Sequence, residues 1–95
     1  MTVSEVVFFF CDEMGVDPRR VMSYEQKGDL WLTRYMIYSY LHYEVGLSNN
    51  AIAKKFDRTQ RNIIRGITTI KNQMTYDKRV RALYDGIVEK IKAMD

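Results

Sequence analysis

The chain has 95 residues, 46% of them apolar and 28% charged, and a formal net charge of +3. That is enough for one compact core and too little for two, and the balance is that of a folded globular domain rather than a disordered segment. The longest apolar run, Val6 to Cys11, is far too short to cross a bilayer, no signal-peptide pattern precedes it, and the lone Cys11 can form no internal disulfide, which together point to a single cytoplasmic domain over residues 1–95.

Thr2 or Ser4 can cap a first helix whose apolar set, Val3, Val6, Val7, Phe9, Phe10 and Met14, is broad enough to be largely buried, and Gly15 ends it. Phe8, Phe9 and Phe10 must point different ways around that helix, so at least one lies at an edge. Asp17 followed by Pro18 is a helix-start signal and predicts a short helix over Pro18 to Met22 with Val21 inward. Ser23 to Gly28 reads as a polar loop. Asp29 is placed to cap a long third helix running to about Val45, with Gly46 where a left-handed residue would end it. That helix carries Trp31, Tyr35, Tyr38, Tyr40 and Tyr43, divided between core and rim.

Ser48 to Met74 reads as two helices joined by a tight polar turn. Ser48 opens the first, Ala51, Ile52, Ala53 and Phe56 give it an apolar face, and Asp57 and Arg58 interrupt the pattern. In the second, Ile63, Ile67, Ile70 and Met74 recur at the spacing of one buried stripe, while Arg61, Asn62, Arg65, Thr68, Thr69 and Asn72 occupy the opposite side. Thr75 and Asp77 can start a final amphipathic helix with Val80, Leu83, Ile87, Ile91 and Met94 inward. With no strand pattern, the expected fold is all-α: a compact bundle of five to six helices with a helix-turn-helix over about residues 48–74.

Chemistry that needs clustered ligands or nucleophiles is not legible. One histidine, one cysteine and no CxxC or HExxH spacing offer no metal set, no glycine-rich phosphate loop precedes a Lys, and Asp12 and Glu13 point apart on their helix. Neither an enzyme nor a cofactor is expected. The charge, in contrast, is segregated. Between Lys54 and Arg81 nine Lys or Arg stand against two acids, whereas the remainder holds six bases and ten acids. A field of that shape draws a polyanion to one side of a small domain.

The order of elements resembles the C-terminal DNA-binding domain of the bacterial replication initiator DnaA, a Trp repressor-like helix-turn-helix fold. Met14, Gly15, Val16, Val21 and Ser23 are similar to the end of that family's first helix and its short second one. Leu47, Ser48, Ile52, Ala53, Lys54, Lys55 and Phe56 follow its Leu-Ser-Leu-Pro-Glu-Ile-Gly helix, and Arg34 and Tyr35 match its Arg-Gln pair. The resemblance implies an all-helical fold, Thr59 to Asn62 facing the major groove and phosphate contacts near Arg34 and Tyr35. The family's Asp-His-Thr base readers are here Thr59, Gln60 and Arg61, so its recognition sequence does not carry over. Its arginine-rich minor-groove loop is here Ser23 to Gly28, with Lys27 the sole cation.

The expectation is therefore a DNA-binding protein that reads duplex DNA, in replication or transcription control of a phage or mobile element. Gln60 suits adenine and Arg61 guanine, with Thr59, Asn62 and Arg65 beside them as further base contacts. Lys27, Arg34, Tyr35, Ser48, Lys54, Lys55, Arg58 and Lys71 are the expected phosphate contacts. One such unit covers few base pairs, which makes a homodimer on two half-sites a natural arrangement. The alternative is a protein-interaction module on the same scaffold, offering Tyr35, Tyr38, Tyr43 and the Phe8 to Phe10 region to another protein.

Overall fold

A computed structural model of the chain, described over residues 1–94, contains six α-helices and one π-helical turn, with no strand among the described residues. The first, α1 (Val3–Met14), is capped by Thr2 rather than Ser4 because Glu5 stands three residues on. The Thr2 hydroxyl accepts the Glu5 N–H at 3.2 Å and the Glu5 carboxylate accepts the Thr2 N–H at 2.8 Å, closing a reciprocal cap. Gly15, at φ 67°, lets the Val16 N–H reach the Cys11 carbonyl at 2.9 Å and ends the helix. Phe10 is buried, Phe9 half-buried and Phe8 61% exposed, the division that three neighbours on a helix require.

Cys11 lies on the buried side of α1, and burial pushes its thiol up to about 11. It is protonated and shielded at neutral pH. A thiol reagent is expected to label it only as the protein unfolds, which a labelling time course with and without denaturant checks.

Asp17 accepts the Arg19 N–H at 2.9 Å and opens α2 (Pro18–Met22). The next helix, α3 (Leu30–Tyr40), runs on into a π-helical turn (Leu41–Val45) that Gly46 ends at φ 89°. Asp29 does not make the expected cap: its φ and ψ of −93° and 22° are not the extended geometry that swings a capping side chain over the first turn. Thr33, Arg34 and the run from Met36 to Leu41 are all buried, so α3 is wrapped rather than half-covered, with α1, α2 and α5 against it. Its aromatics lock neighbours in place. The Tyr40 ring lies 5.5 Å from that of Phe10, and Tyr38 meets Phe56 edge-on at 4.9 Å.

The Ser48 hydroxyl accepts the Ala51 N–H at 3.1 Å and starts α4 (Asn49–Phe56), which turns Ile52, Ala53 and Phe56 inward. Asp57, at φ 53°, reverses the chain, and Thr59 accepts the Asn62 N–H at 3.2 Å to start α5 (Gln60–Tyr76). Ile63, Gly66, Ile67 and Ile70 are buried on α5, with Met74 only partly so. Asp77 ends that helix and at once caps α6 (Lys78–Ala93) by accepting the Arg79 N–H at 2.9 Å.

The stripe expected on α6 is displaced. Leu83 and Met94 are exposed and Val80 is half-buried, while Tyr84, Ile87, Val88 and Ile91 face inward. Tyr84 takes an inward place with its ring tilted toward that of Phe10, 6.3 Å between centroids, so the helix is turned toward Tyr84 and Val88 while Ile87 and Ile91 stay in the core. The radius of gyration is 12.2 Å. One packed unit of this length is expected at about 12–13 Å. No helix among the described residues is long and apolar enough to cross a membrane.

Candidate nucleic-acid interface

The side of α5 opposite its buried stripe is formed by Arg61, Arg65, Thr68 and Asn72, which recur at the i, i+4, i+7, i+11 spacing of one helical face, and all four are exposed. From Arg61 to Asn72 this face rises about 16 Å. Arg61 and Arg65 make no ion pair or hydrogen bond with any described residue. Nor does α5 carry any acid, and from Ser48 to Tyr76 the single carboxylate is that of Asp57. Gln60 and Asn62 flank Arg61 in the first turn, where the open N–H groups and the positive end of the helix dipole add to the cationic field. Thr59 spends an acceptor lone pair on its capping bond and keeps its O–H to donate outward; Ser48 does the same on α4.

Ile64, 45% exposed between Arg61 and Arg65, is the residue that reading by type passes over. Its signal is register: it falls outside the 63, 67, 70 stripe and so must face away from the core. An aliphatic side chain among donors is the kind of group that meets a thymine methyl.

Lys54 and Lys55 are exposed in the last turn of α4, without partners among the described residues, where cations also suit the negative end of the helix. Lys27 is exposed in the loop before α3. Lys71 is exposed with its Nζ 5.6 Å from the centre of the Tyr43 ring, a cation–π contact that leaves its donors toward solvent. Of the cations opening α6, two are already taken. Arg79 lies 3.7 Å from Asp77, and Arg81 bonds Asp85 at 3.0 Å.

Three of the expected phosphate contacts sit elsewhere than on an open surface. Arg34 is 4% exposed, and its guanidinium donates to the carbonyls of Val21, Arg20 and Ser23, each at 2.8 Å. It closes the C-terminus of α2, whose last carbonyls have no glycine turn to satisfy them. Arg58 is half-buried, donates to the carbonyls of Phe56 at 3.0 Å and of Ser23, and lies 4.3 Å over the Tyr24 ring. The Tyr24 hydroxyl donates in turn to Asp57, tying the 23–28 loop to the α4–α5 connection. Tyr35 is half-buried between Trp31 and Tyr38, both 5.9 Å away by ring centroid, with Gly66 of α5 against its edge. These residues set the angle of α5 rather than extend its exposed face.

The alternative protein-binding surface is likewise divided. Tyr38 and Phe10 are buried, and only Phe8 and Tyr43 of that group are exposed. Among the described residues no cluster of three or more His, Cys, Asp or Glu could hold a metal ion. A scan against protein-family models and a search of curated proteins both return no match, so the site is defined by its own geometry.

Proposed function

We propose that the protein binds duplex DNA, laying the Gln60, Arg61, Ile64, Arg65 face of α5 into the major groove, in the manner that the resemblance to the initiator domain implies. The observation that carries this reading is that Arg61 and Arg65 are exposed with no carboxylate among the described residues paired to them. A cation without a partner on a helix without acids gains most from a polyanion. Thr59, Gln60, Arg61, Asn62 and Arg65 are the base readers, with Arg61 toward guanine and Gln60 toward adenine. Lys54, Lys55, Lys27, Lys71 and Ser48 lie around them to set register on phosphates. Control of replication or transcription follows as the biological use.

Binding to a random duplex is expected to weaken steeply with salt, and a fluorescence-anisotropy titration over salt concentration measures the slope. Arg61→Ala is expected to weaken binding to a selected site about 10- to 100-fold and to relax discrimination there. Lys55→Ala should weaken binding on every duplex and flatten the salt slope by about one unit. Equal effects of the two changes on all duplexes would remove specific readout from the reading.

The second reading, a protein-interaction module, is favoured by one feature. A groove of about 730 Å³ runs between α1 and α2, rimmed by exposed Phe8 and Met22. It predicts little duplex binding at any salt, so the same titration separates the two.

A further inference from the structure

Between α3, the 23–28 loop and the first turns of α5 lies a cleft of about 190 Å³ onto which three arginines converge: Arg34 from the core, Arg58 from the α4–α5 connection and Arg65 from α5. No carboxylate among the described residues lines it. Arg34 has committed Nε and Nη2 to carbonyls, which leaves its Nη1 without an acceptor among the described residues, and Arg58 has committed its two terminal nitrogens. Two guanidiniums held this close repel, and the Arg58 charge, after burial, is the next cause of a lowered Arg34 pKa. Tyr38, 2% exposed, completes the wall, and its hydroxyl makes no hydrogen bond with a described residue.

We infer that this cleft binds a phosphate group. A tetrahedral dianion supplies acceptors on several sides at once, which is what converging guanidinium, hydroxyl and Asn62 amide donors call for. Clefts for whole drug-sized ligands start at about 300 Å³. This smaller one suits inorganic phosphate or the phosphoryl end of an ester. The inference goes beyond the DNA reading, because a free phosphate or monoester, as well as a backbone phosphodiester, offers non-bridging oxygens to these donors. The cleft shares Arg65 with the proposed DNA face, so an occupant would compete for that side chain.

Trp31 lines the cleft and is the one tryptophan of the chain, which makes its fluorescence a built-in reporter. The full chain is titrated with inorganic phosphate, ionic strength held constant with chloride. A saturable change is expected, about tenfold weaker in Arg65→Gln, weakened in Tyr38→Phe, and unaltered in Lys92→Gln, an exposed cation on α6. No saturation above the chloride control, or both cleft variants titrating like the parent, overturns the inference. Duplex binding by the Tyr38→Phe variant then tells the sources apart: unchanged affinity assigns the cleft to a free ligand, a matching loss to a backbone phosphate. Saturable phosphate binding with no duplex binding would sink the DNA reading alone, and duplex binding with a flat phosphate titration would sink the cleft alone.

Discussion

Replacing Arg34 by alanine is expected to cost on the order of 3 kcal/mol of folding stability, read as the shift in a chemical-denaturation midpoint. The side chain is 4% exposed and donates to three carbonyls at the end of α2, those of Val21, Arg20 and Ser23. Hydrogen bonds from a charged donor contribute about 1.5–3 kcal/mol each. Their sum overstates the loss, because the variant also escapes the cost of burying a guanidinium. What remains is the penalty at the Val21 carbonyl and a void where the stem lay, since Ser23 still donates to the Arg20 carbonyl and Arg58 to that of Ser23. Arg34→Met restores the stem but not the donors, so it should recover only a minor part. Arg34→Lys should fare little better, since an ammonium cannot span three carbonyls with a planar fork. Should all three variants unfold within about 1 kcal/mol of the parent, the clamp is not structural.

Gly66 is the second position where a single atom has a large consequence. A Cβ there would stand 2.7 Å from Cδ1 and 3.0 Å from Cε1 of Tyr35, and 3.1 Å from Cδ2 of Tyr38. Helix propensity alone favours alanine over glycine by about 1 kcal/mol. Overpacking costs about 1–3 kcal/mol, and here it wins, because moving the Tyr35 ring aside disturbs its contacts with Trp31 and Tyr38. Gly66→Ala is expected to lose about 1 kcal/mol net and Gly66→Val about 3 kcal/mol. Gly86 is the internal control, since nothing lies within 4 Å of a Cβ built there. Gly86→Ala should therefore gain about 0.5–1 kcal/mol. Thermal or urea unfolding of the three variants tests this, and a stabilised Gly66→Ala would show that α5 does not depend on that close approach to α3.

Local signals in the chain were enough to place the helices, because caps and breakers act over three or four residues. Asp17 with Pro18, Ser48 and Asp77 each open a helix where their side chains predict it, and Gly15 and Gly46 end theirs in the left-handed region. The Ile63, Ile67, Ile70 period likewise put Arg61 and Arg65 on the outer side of α5, since a regular helix fixes which residues oppose which. Which cations stay outside was another matter. Arg34 and Arg58 read as surface residues by type, yet both turn inward, because their acceptors are backbone carbonyls brought near only when α2, the 23–28 loop and the α4–α5 connection meet. The rotation of α6 toward Tyr84 has the same origin: Phe10, far away in the chain, offers the ring that sets it. Hydrogen-bond partners and ring contacts between segments distant in sequence leave no periodic trace, so only the folded packing could choose them.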